Sequence, residues 1–254
     1  MNNKNILETR GLSKSFKGFT AVDDVSLQVQ QGHIHALIGP NGAGKTTFFN
    51  LLTKALSPTS GEVIFQGKNI TRMEPAAIAM LGMVRSFQIS SVFPALTALE
   101  NVRIALQRKE KNSFSFWQSE RVLEQLNPKA LALLEAVGLA DFARVTTSDL
   151  SYGRKRALEL ATTLALDPAL LLLDEPTQGM GHEDVALVTA LIRKVAEGKT
   201  VIMVEHNLHV VAELADRITV LQRGAVLTEG DYATVSADPR VREAYLGRAA
   251  ETAA

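Results

Sequence analysis

The chain has 254 residues, and its 27 Lys and Arg balance 27 Asp and Glu, so its formal net charge is zero. This length suits one large domain or two small ones with an ordinary core, which excludes a minimal cross-linked scaffold. The balanced charge does not favour a general nucleic-acid binder. Because the chain has no Cys, a disulfide framework, a thiolate zinc site and a cysteine nucleophile are excluded.

The N-terminus and the most apolar run bear on membrane insertion. Met1 to Asn5 has no apolar core after Lys4, so it does not resemble a secretory signal. The run from Leu164 to Leu173 is interrupted by Asp167 and Pro168, and it is shorter than the roughly 20 residues of a membrane helix. We therefore expect a cytoplasmic chain that cannot cross a bilayer alone.

The first ninety residues are expected to form mostly strands and turns. Short β-branched or alternating stretches separated by glycines predict strands at Leu7–Leu12, Ala21–Val29, His33–Ile38 and Gly61–Phe65. This part should contain a mixed sheet.

The middle of the chain, from about Ala76 to Ala165, has helical periodicity. Its clearest helix is Pro128–Val137, with Asn127 as the N-cap and Gly138 just past the end, and it is expected to bury Leu131, Leu134 and Val137. We expect a helical insertion here.

The last third predicts a parallel sheet covered on both faces. Two short apolar strands, Leu170–Leu173 and Thr200–Val204, flank an amphipathic helix over His182–Ala196. A final helix is expected to begin at Asp238–Pro239 and to end at Gly247.

A phosphate-binding loop lies at Gly39–Thr46, which reads G-P-N-G-A-G-K-T and matches G-x-x-x-x-G-K-[ST] without a mismatch. The glycines let backbone N–H groups turn toward a polyphosphate, and the following helix adds its positive end. Lys45 would neutralise β/γ oxygens and Thr46 would ligate Mg²⁺. This loop alone leaves kinases, GTPases and motor ATPases open.

Two carboxylates follow the predicted strand Leu170–Leu173, at the edge where open α/β sheets bind ligands. Asp174 is positioned to hold Mg²⁺ through water, and Glu175 to polarise an attacking water as a general base.

In the order of its motifs the chain resembles the ATP-binding-cassette (ABC) ATPases. Leu150–Arg154, L-S-Y-G-R, resembles the family signature L-S-G-G-Q. Gln88 resembles the family's Q-loop glutamine, His206 its switch histidine, and Phe16 the aromatic residue that stacks on adenine. The resemblance covers almost the whole chain.

The resemblance implies a site for ATP and Mg²⁺. Nucleotide contacts are expected from Phe16, Val22, Gly39, Asn41, Gly42, Ala43, Gly44, Lys45, Thr46, Thr47, Ser151 and Gly153. Catalytic roles are expected for Glu175, His206 and Gln88, and Mg²⁺ contacts for Thr46, Gln88 and Asp174. Ser151 is a good N-cap for the next helix, whose positive end favours an anion. In the family that anion is the γ-phosphate held by the other subunit of a head-to-tail dimer.

Two departures from the family pattern concern coupling. Tyr152 and Arg154 replace the usual Gly and Gln of the signature. The segment Thr177–His182, which follows Glu175, lacks the Asp that many family members carry there. We expect Arg154 to alter coupling, and the missing Asp to weaken communication across a dimer through that loop.

The implied fold is an α/β P-loop NTPase (RecA-like). It comprises a mixed or parallel sheet core, an N-terminal antiparallel β subdomain and an inserted α-helical subdomain. The whole chain, 1–254, would be one nucleotide-binding domain, with the helical insertion at about 89–165 and a helical tail at about 236–247.

Several stretches resemble the ATPase subunits of branched-chain amino-acid importers. They are Phe16–Ser26, Arg85–Gln88, Leu96–Val102, Leu150–Gly153 and the tail Asp238–Gly247. This implies integral-membrane permease subunits, a second ABC ATPase chain, identical or related, and indirectly a periplasmic solute-binding protein, with no nucleic acid. The chain would then lie peripherally on the inner face of the cell membrane.

Alternatives remain open. Related ATPase subunits serve urea or short-amide importers and lipopolysaccharide exporters. A soluble ABC protein of translation or DNA repair would usually show two cassettes or a long coiled-coil insertion, and a small-molecule kinase would not need the signature or His206.

Overall fold

The computed structural model describes residues 4–86, 92–108 and 123–251. Within them the chain forms two sheets with helices packed around them. The strands are β1 Asn5–Phe16, β2 Phe19–Gln30, β3 Ile34–Ile38, β4 Ser60–Phe65, β5 Lys68–Asn69, β6 Met83–Ser86, β7 Leu170–Asp174, β8 Thr200–Val204, β9 Arg217–Gln222 and β10 Ala225–Gly230. In these ranges no helix has the length and apolar character to span a membrane.

The helices alternate with the strands of the larger sheet. They are α1 Lys45–Leu52, α2 Pro75–Met80, α3 Ala98–Gln107, α4 Asn127–Ala136, α5 Tyr152–Ala165, α6 His182–Ala196, α7 Leu208–Leu214, α8 Tyr232–Ala237 and α9 Pro239–Glu251. The predicted helix over His182–Ala196 and the predicted strand over Thr200–Val204 are confirmed to the residue.

The six-stranded sheet has the order β10-β9-β3-β8-β7-β6. Strands β9, β3, β8, β7 and β6 are parallel to their neighbours in this order, and only the edge strand β10 is antiparallel to its neighbour. Every residue of β3 and β8 is buried, as expected for parallel strands covered on both faces. The predicted parallel core is therefore confirmed, and it brings the carboxyl ends of its strands to one edge.

The N-terminal strands form a separate antiparallel sheet with the order β2-β1-β4-β5. Strands β1 and β2 are longer than the sequence pattern predicts, and they pair from Asn5 with Gln30 to Phe16 with Phe19. Gly61 allows β4 to approach β1 closely, because a Cβ there would lie 2.3 Å from the Gly11 carbonyl oxygen. The implied N-terminal antiparallel subdomain is thus present, beside the mixed sheet rather than within it.

Helices α3, α4 and α5 form a helical layer whose buried side chains include Val102, Leu134 and Leu158. Helix α4 begins one residue earlier than predicted, with Leu126 rather than Asn127 at its N-cap, and Leu131 is exposed rather than buried. Gly138 follows with a positive φ of 70°, as expected of a residue just past a helix end. The boundaries 89–165 for a helical subdomain stay a prediction, since 87–91 and 109–122 lie outside the described residues.

The C-terminal helix does not end at Gly247, as the sequence suggests, but continues to Glu251. A single glycine costs a helix about 1 kcal/mol relative to alanine, which neighbouring turns can outweigh.

A polar chain runs from buried His35 and Thr219 in the large sheet to the partly exposed Glu229 on its edge strand β10. His35 is 1% exposed, and its Nε2 lies 2.8 Å from Thr219 Oγ1. Thr219 donates to Glu229 at 2.9 Å, and Arg217 donates to the same carboxylate at 2.6 Å. Burial lowers the pKa of His35 to about 4, although the Glu229 carboxylate opposes this shift. His35 is therefore neutral in the folded protein at pH 7.

We predict that this histidine makes the protein less stable as the pH falls from about 6.5 toward 4. In that window the unfolded chain binds a proton at His35 and the folded chain does not, so unfolding is favoured by up to about 3 kcal/mol. Urea unfolding at a series of pH values measures the slope. His35→Gln, which stays neutral, should show a shallower fall, and identical slopes would contradict the prediction.

Candidate nucleotide-binding site

The predicted phosphate loop connects β3 to α1 through a tight turn. Gly39, Gly42 and Gly44 have positive φ values of 150°, 80° and 99°. A Cβ at Gly39 would lie 2.1 Å from the Leu221 carbonyl oxygen, and one at Gly44 would lie 2.3 Å from the Ala21 carbonyl oxygen. Two of the three glycines are thus required by contacts with neighbouring backbone as well as by conformation.

Lys45 is held inside this loop. Its side chain is 6% exposed, and its Nζ donates to the carbonyl oxygens of Gly39 at 2.6 Å and Pro40 at 3.0 Å. The ammonium group is therefore placed in the mouth of the loop by the loop itself. Helix α1 has no acidic residue in its first turn, so nothing in that turn neutralises its positive end.

The other loop residues differ in exposure. Asn41, Gly42 and Thr46 are exposed, Thr47 is half-buried, and Ala43 is buried. The exposed members can face a ligand directly, whereas Ala43 is buried and its amide donates to the Pro40 carbonyl at 3.1 Å.

Asp174, the last residue of β7, forms an ion pair with Arg85 of β6. The other guanidinium nitrogen of Arg85 donates to Asn50 of α1 at 2.6 Å. Because both partners of the ion pair are largely buried, this contact fixes Asp174 relative to the helix that follows the phosphate loop. Arg85 and Asn50 were not predicted from the sequence, since their residue types carry no motif.

Glu175 and His206 meet in the structure although they are 31 residues apart. Glu175 has a positive φ of 46°, and its amide donates to the Val204 carbonyl at 2.9 Å. His206 Nε2 lies 2.6 Å from Glu175 Oε1, with the ring partly exposed. The predicted base and the predicted switch histidine therefore share one place at the carboxyl edge of the sheet.

Glu205 is a further site residue that the sequence reasoning missed. It is buried directly before His206 and binds Thr177, which lies two residues after Glu175. A carboxylate just past the buried strand β8 is the same signal that identified Asp174 and Glu175, and it could have been found that way.

The signature residues lie at the start of α5. Ser151 is the N-cap with extended backbone, but its side chain makes no capping hydrogen bond. The Tyr152 hydroxyl donates to the Gln178 carbonyl at 3.3 Å. A Cβ on Gly153 would lie 2.9 Å from Asp184 Oδ1, and the Arg154 guanidinium lies 3.8 Å from the centroid of the Phe142 ring.

The remaining predicted residues lie in different surroundings. Phe16 ends β1 and is 42% exposed, with the Lys14 ammonium 5.0 Å from its ring centroid. Val22 is fully buried among core residues, so its side chain offers no surface to a ligand. Gln88 lies outside the described residues, and its roles stay predictions.

The described residues of the site offer Mg²⁺ few protein ligands. Within residues 4–86, 92–108 and 123–251, no group of three or more His, Asp or Glu side chains could hold a metal by itself. Mg²⁺ is usually held by one or two protein oxygens together with substrate phosphates and water. An exposed Thr46 hydroxyl and the Asp174 carboxylate fit such an arrangement.

Two family models match the sequence. The model described as "ABC transporter" matches residues 22–178, which include the phosphate loop, the signature, Asp174 and Glu175. A model described as "Branched-chain amino acid ATP-binding cassette transporter" matches residues 225–251, from β10 to the C-terminal helix.

Similar proteins cover nearly the whole chain. The high-affinity branched-chain amino acid transport ATP-binding protein BraF of Pseudomonas aeruginosa is 37% identical over 254 residues, covering 96% of this chain and 98% of BraF. A crystal structure titled as the ADP conformation of an ABC transporter cassette has a TM-score of 0.85 at 31% identity, covering 96% and 99% of the two chains. A dimeric cassette bound to ADP and Pi has a TM-score of 0.75 at 28% identity, covering 89% and 98%.

We predict that the phosphate loop tolerates a side chain at Gly42 better than at Gly39. Both positions have positive φ, so alanine should cost about 1 kcal/mol of backbone strain at either. At Gly42 a Cβ would meet no described atom within 4 Å, whereas at Gly39 it would overlap backbone. Gly39→Ala should thus lower the free energy of unfolding by about 2 kcal/mol or more. Urea unfolding without nucleotide measures both variants, and equal losses would contradict the steric argument.

Proposed function

This chain belongs to the ABC transporter family, and we infer that it is the ATP-hydrolysing subunit of an importer for branched-chain or related amino acids. One observation carries the conclusion: the phosphate loop, the Asp174–Glu175 pair and His206 meet at one edge of the parallel sheet. The match of the C-terminal segment to the branched-chain family model supports the choice of solute.

ATP binding is assigned to the phosphate loop. Lys45 is already directed into the loop by two carbonyl oxygens, so its charge can meet the β- and γ-phosphates without a large search of side-chain conformations. Backbone amides from Gly42 to Thr46 and the start of α1 supply further donors. Phe16, exposed at the end of β1, is assigned to the adenine ring.

Hydrolysis is assigned to Glu175 and His206. Glu175 would accept a proton from the attacking water, and His206 would donate to an oxygen of the γ-phosphate, the group that distinguishes ATP from ADP. The 2.6 Å contact between them places the two groups side by side, and His206 Nε2 would exchange its bond to Glu175 for one to the γ-phosphate. Gln88 is assigned the third catalytic role.

Mg²⁺ is proposed as the metal of this site, where it would neutralise phosphate charge. Thr46, Asp174 and Gln88 would hold it. The ion pair with Arg85 orients the Asp174 carboxylate for this purpose.

A second ATPase chain would complete the site. Helix α5 has no acidic residue in its first turn, and the Ser151 hydroxyl is not used for capping. Ser151 and the amide of Gly153 can thus bind an anion at a positive helix end. We assign them to the γ-phosphate bound by the partner chain, and the dimeric form of a similar cassette supports this arrangement.

The permease subunits would contact a groove between the sheet core and the helical layer. The cavity there has a volume of about 390 Å³, and its lining includes Ile78, Met83, Phe93, Ile104 and Ala105. Phe93 and Ile104 are exposed, and exposed apolar surface of this kind is typical of protein interfaces. Closure of two cassettes on two ATP molecules would move these grooves and so drive the permeases.

The alternatives are less well supported. The similar proteins are named for branched-chain amino acid transport, which does not favour urea, lipopolysaccharide or a soluble ABC protein. The signature and His206 have no place in a small-molecule kinase. A periplasmic solute-binding protein would deliver the solute, and the chain would lie on the inner face of the membrane.

We predict that Glu175→Gln separates ATP binding from hydrolysis. The amide keeps the size of the side chain but cannot accept the proton of the attacking water, so turnover should fall at least about 100-fold while ATP affinity is kept. The variant should also form a stable dimer with ATP in size-exclusion chromatography. Lys45→Ala is the matched comparison, since it should weaken ATP binding itself. Normal turnover of Glu175→Gln would remove Glu175 from the role of base.

Transport is tested by reconstitution. The chain is combined in vesicles with its two permeases and its partner cassette, and uptake of labelled leucine, isoleucine and valine is measured with the solute-binding protein outside and ATP inside. We expect ATP-dependent uptake that disappears with Glu175→Gln. Uptake of urea but none of these amino acids would contradict the proposed solute, and ATP hydrolysis without any uptake would contradict a transport role.

A further inference from the structure

Glu205 links the two segments that carry the proposed catalytic groups. It follows β8 directly, precedes His206, and is only 2% exposed. One carboxylate oxygen, Oε1, accepts hydrogen bonds from the Thr177 amide at 3.1 Å and from the Thr177 hydroxyl. The other, Oε2, accepts from the amides of His206 at 2.7 Å and Asn207 at 3.0 Å.

Two of these four bonds, those from Thr177, join Glu205 to the neighbouring loop. The other two, from His206 and Asn207, hold the carboxylate against its own loop. Thr177 belongs to the loop that begins with Glu175, whereas His206 and Asn207 belong to the loop after the neighbouring strand. Hydrogen bonds to an ionised carboxylate are about twice as strong as neutral ones. The Glu205 side chain therefore ties the two loops together beyond the strand ends, in addition to the bond from the Glu175 amide to the Val204 carbonyl at 2.9 Å.

Glu205 is not suited to act on substrate itself. Both of its oxygens are engaged by donors from the protein, and the group is buried, so it has no exposed lone pair with which to bind a water. Glu175, by contrast, is partly exposed and contacts the partly exposed His206 ring. Glu175 can therefore reach a phosphate, whereas Glu205 can only hold its neighbours in place.

We propose that Glu205 is a positioning residue that sets Glu175 and His206 at the separation needed for hydrolysis, a role that rests on the proposed ATPase function. The contact of His206 Nε2 with Glu175 Oε1 at 2.6 Å is the geometry it maintains. Misplacement of catalytic groups by about 1 Å can lower a rate about 100-fold. Loss of the bridge should hence reduce kcat far more than ATP affinity.

Two substitutions test the bridge at its two ends. Glu205→Gln replaces one acceptor oxygen with an NH₂ group that faces N–H donors, and it should lower kcat about 10–100-fold with the Kd for ATP changed less than about threefold. Thr177→Val removes only the hydroxyl donor and should lower kcat by a smaller factor. The double variant should be no slower than Glu205→Gln alone, because both changes break one link.

Thr189→Val is the control, because it removes a buried threonine hydroxyl that lies outside the site. Thr189 Oγ1 donates to the Val185 carbonyl within α6 at 2.7 Å, so this change should leave kcat unaltered. Steady-state ATPase assays of the full chain give kcat and KM, nucleotide titration gives Kd, and thermal unfolding reports stability for every variant.

The ATPase measurements distinguish a failure of the positioning role from a failure of the proposed ATPase function. An unchanged kcat in Glu205→Gln, or a kcat loss in Thr189→Val equal to that in Thr177→Val, would overturn the positioning role. If Glu205→Gln does not fold, Thr177→Val decides alone through its kcat against the control. A wild-type chain without ATPase activity would instead overturn the proposed function, which keeps the two failures distinct.

Discussion

The register of three parallel strands is the constraint on which the site depends. Leu37 of β3 pairs with Val204 of β8, and Val204 pairs with Asp174 of β7. The carboxyl ends of the three strands are therefore level, and the residues just beyond them meet at one edge. A shift of either pairing by one residue would turn the side chains of a whole strand to the opposite face, which would bury Glu175 or move Lys45 away from the carboxylates.

The features of the site that the sequence predicts are those set by local patterns. The phosphate loop, the Asp174–Glu175 pair and the alternation of strands with helices are local patterns, so their positions follow from residue type and spacing. The strand–loop–helix order was thus predictable, and β8 and α6 were predicted to the residue. The full length of β1 and β2 was not, because the polar ends of that hairpin pair through the backbone and carry no apolar alternation.

Contacts between distant segments were the part of the site that could not be predicted. The pairing of Arg85 with Asp174 and Asn50 depends on β6 lying beside β7 and on Asn50 of α1 lying within reach of Arg85. The neutral Ser151 hydroxyl was expected to cap its helix, yet it makes no such bond. Helix caps are chosen by competition with other partners, and this competition is decided by tertiary geometry that spacing alone does not contain.

The signature helix shows how a departure from the family pattern is accommodated. Arg154 stands where the family has Gln, and its guanidinium stacks on Phe142 at 3.8 Å in the helical layer, a cation–π contact that holds the charge in place. Tyr152 is held by the Gln178 carbonyl, within the segment that lacks the usual Asp. Both unusual side chains are engaged within their own chain. In the proposed dimer, anion binding at the helix start would therefore fall to Ser151 and the Gly153 backbone, and the two substitutions would alter how the helix is supported.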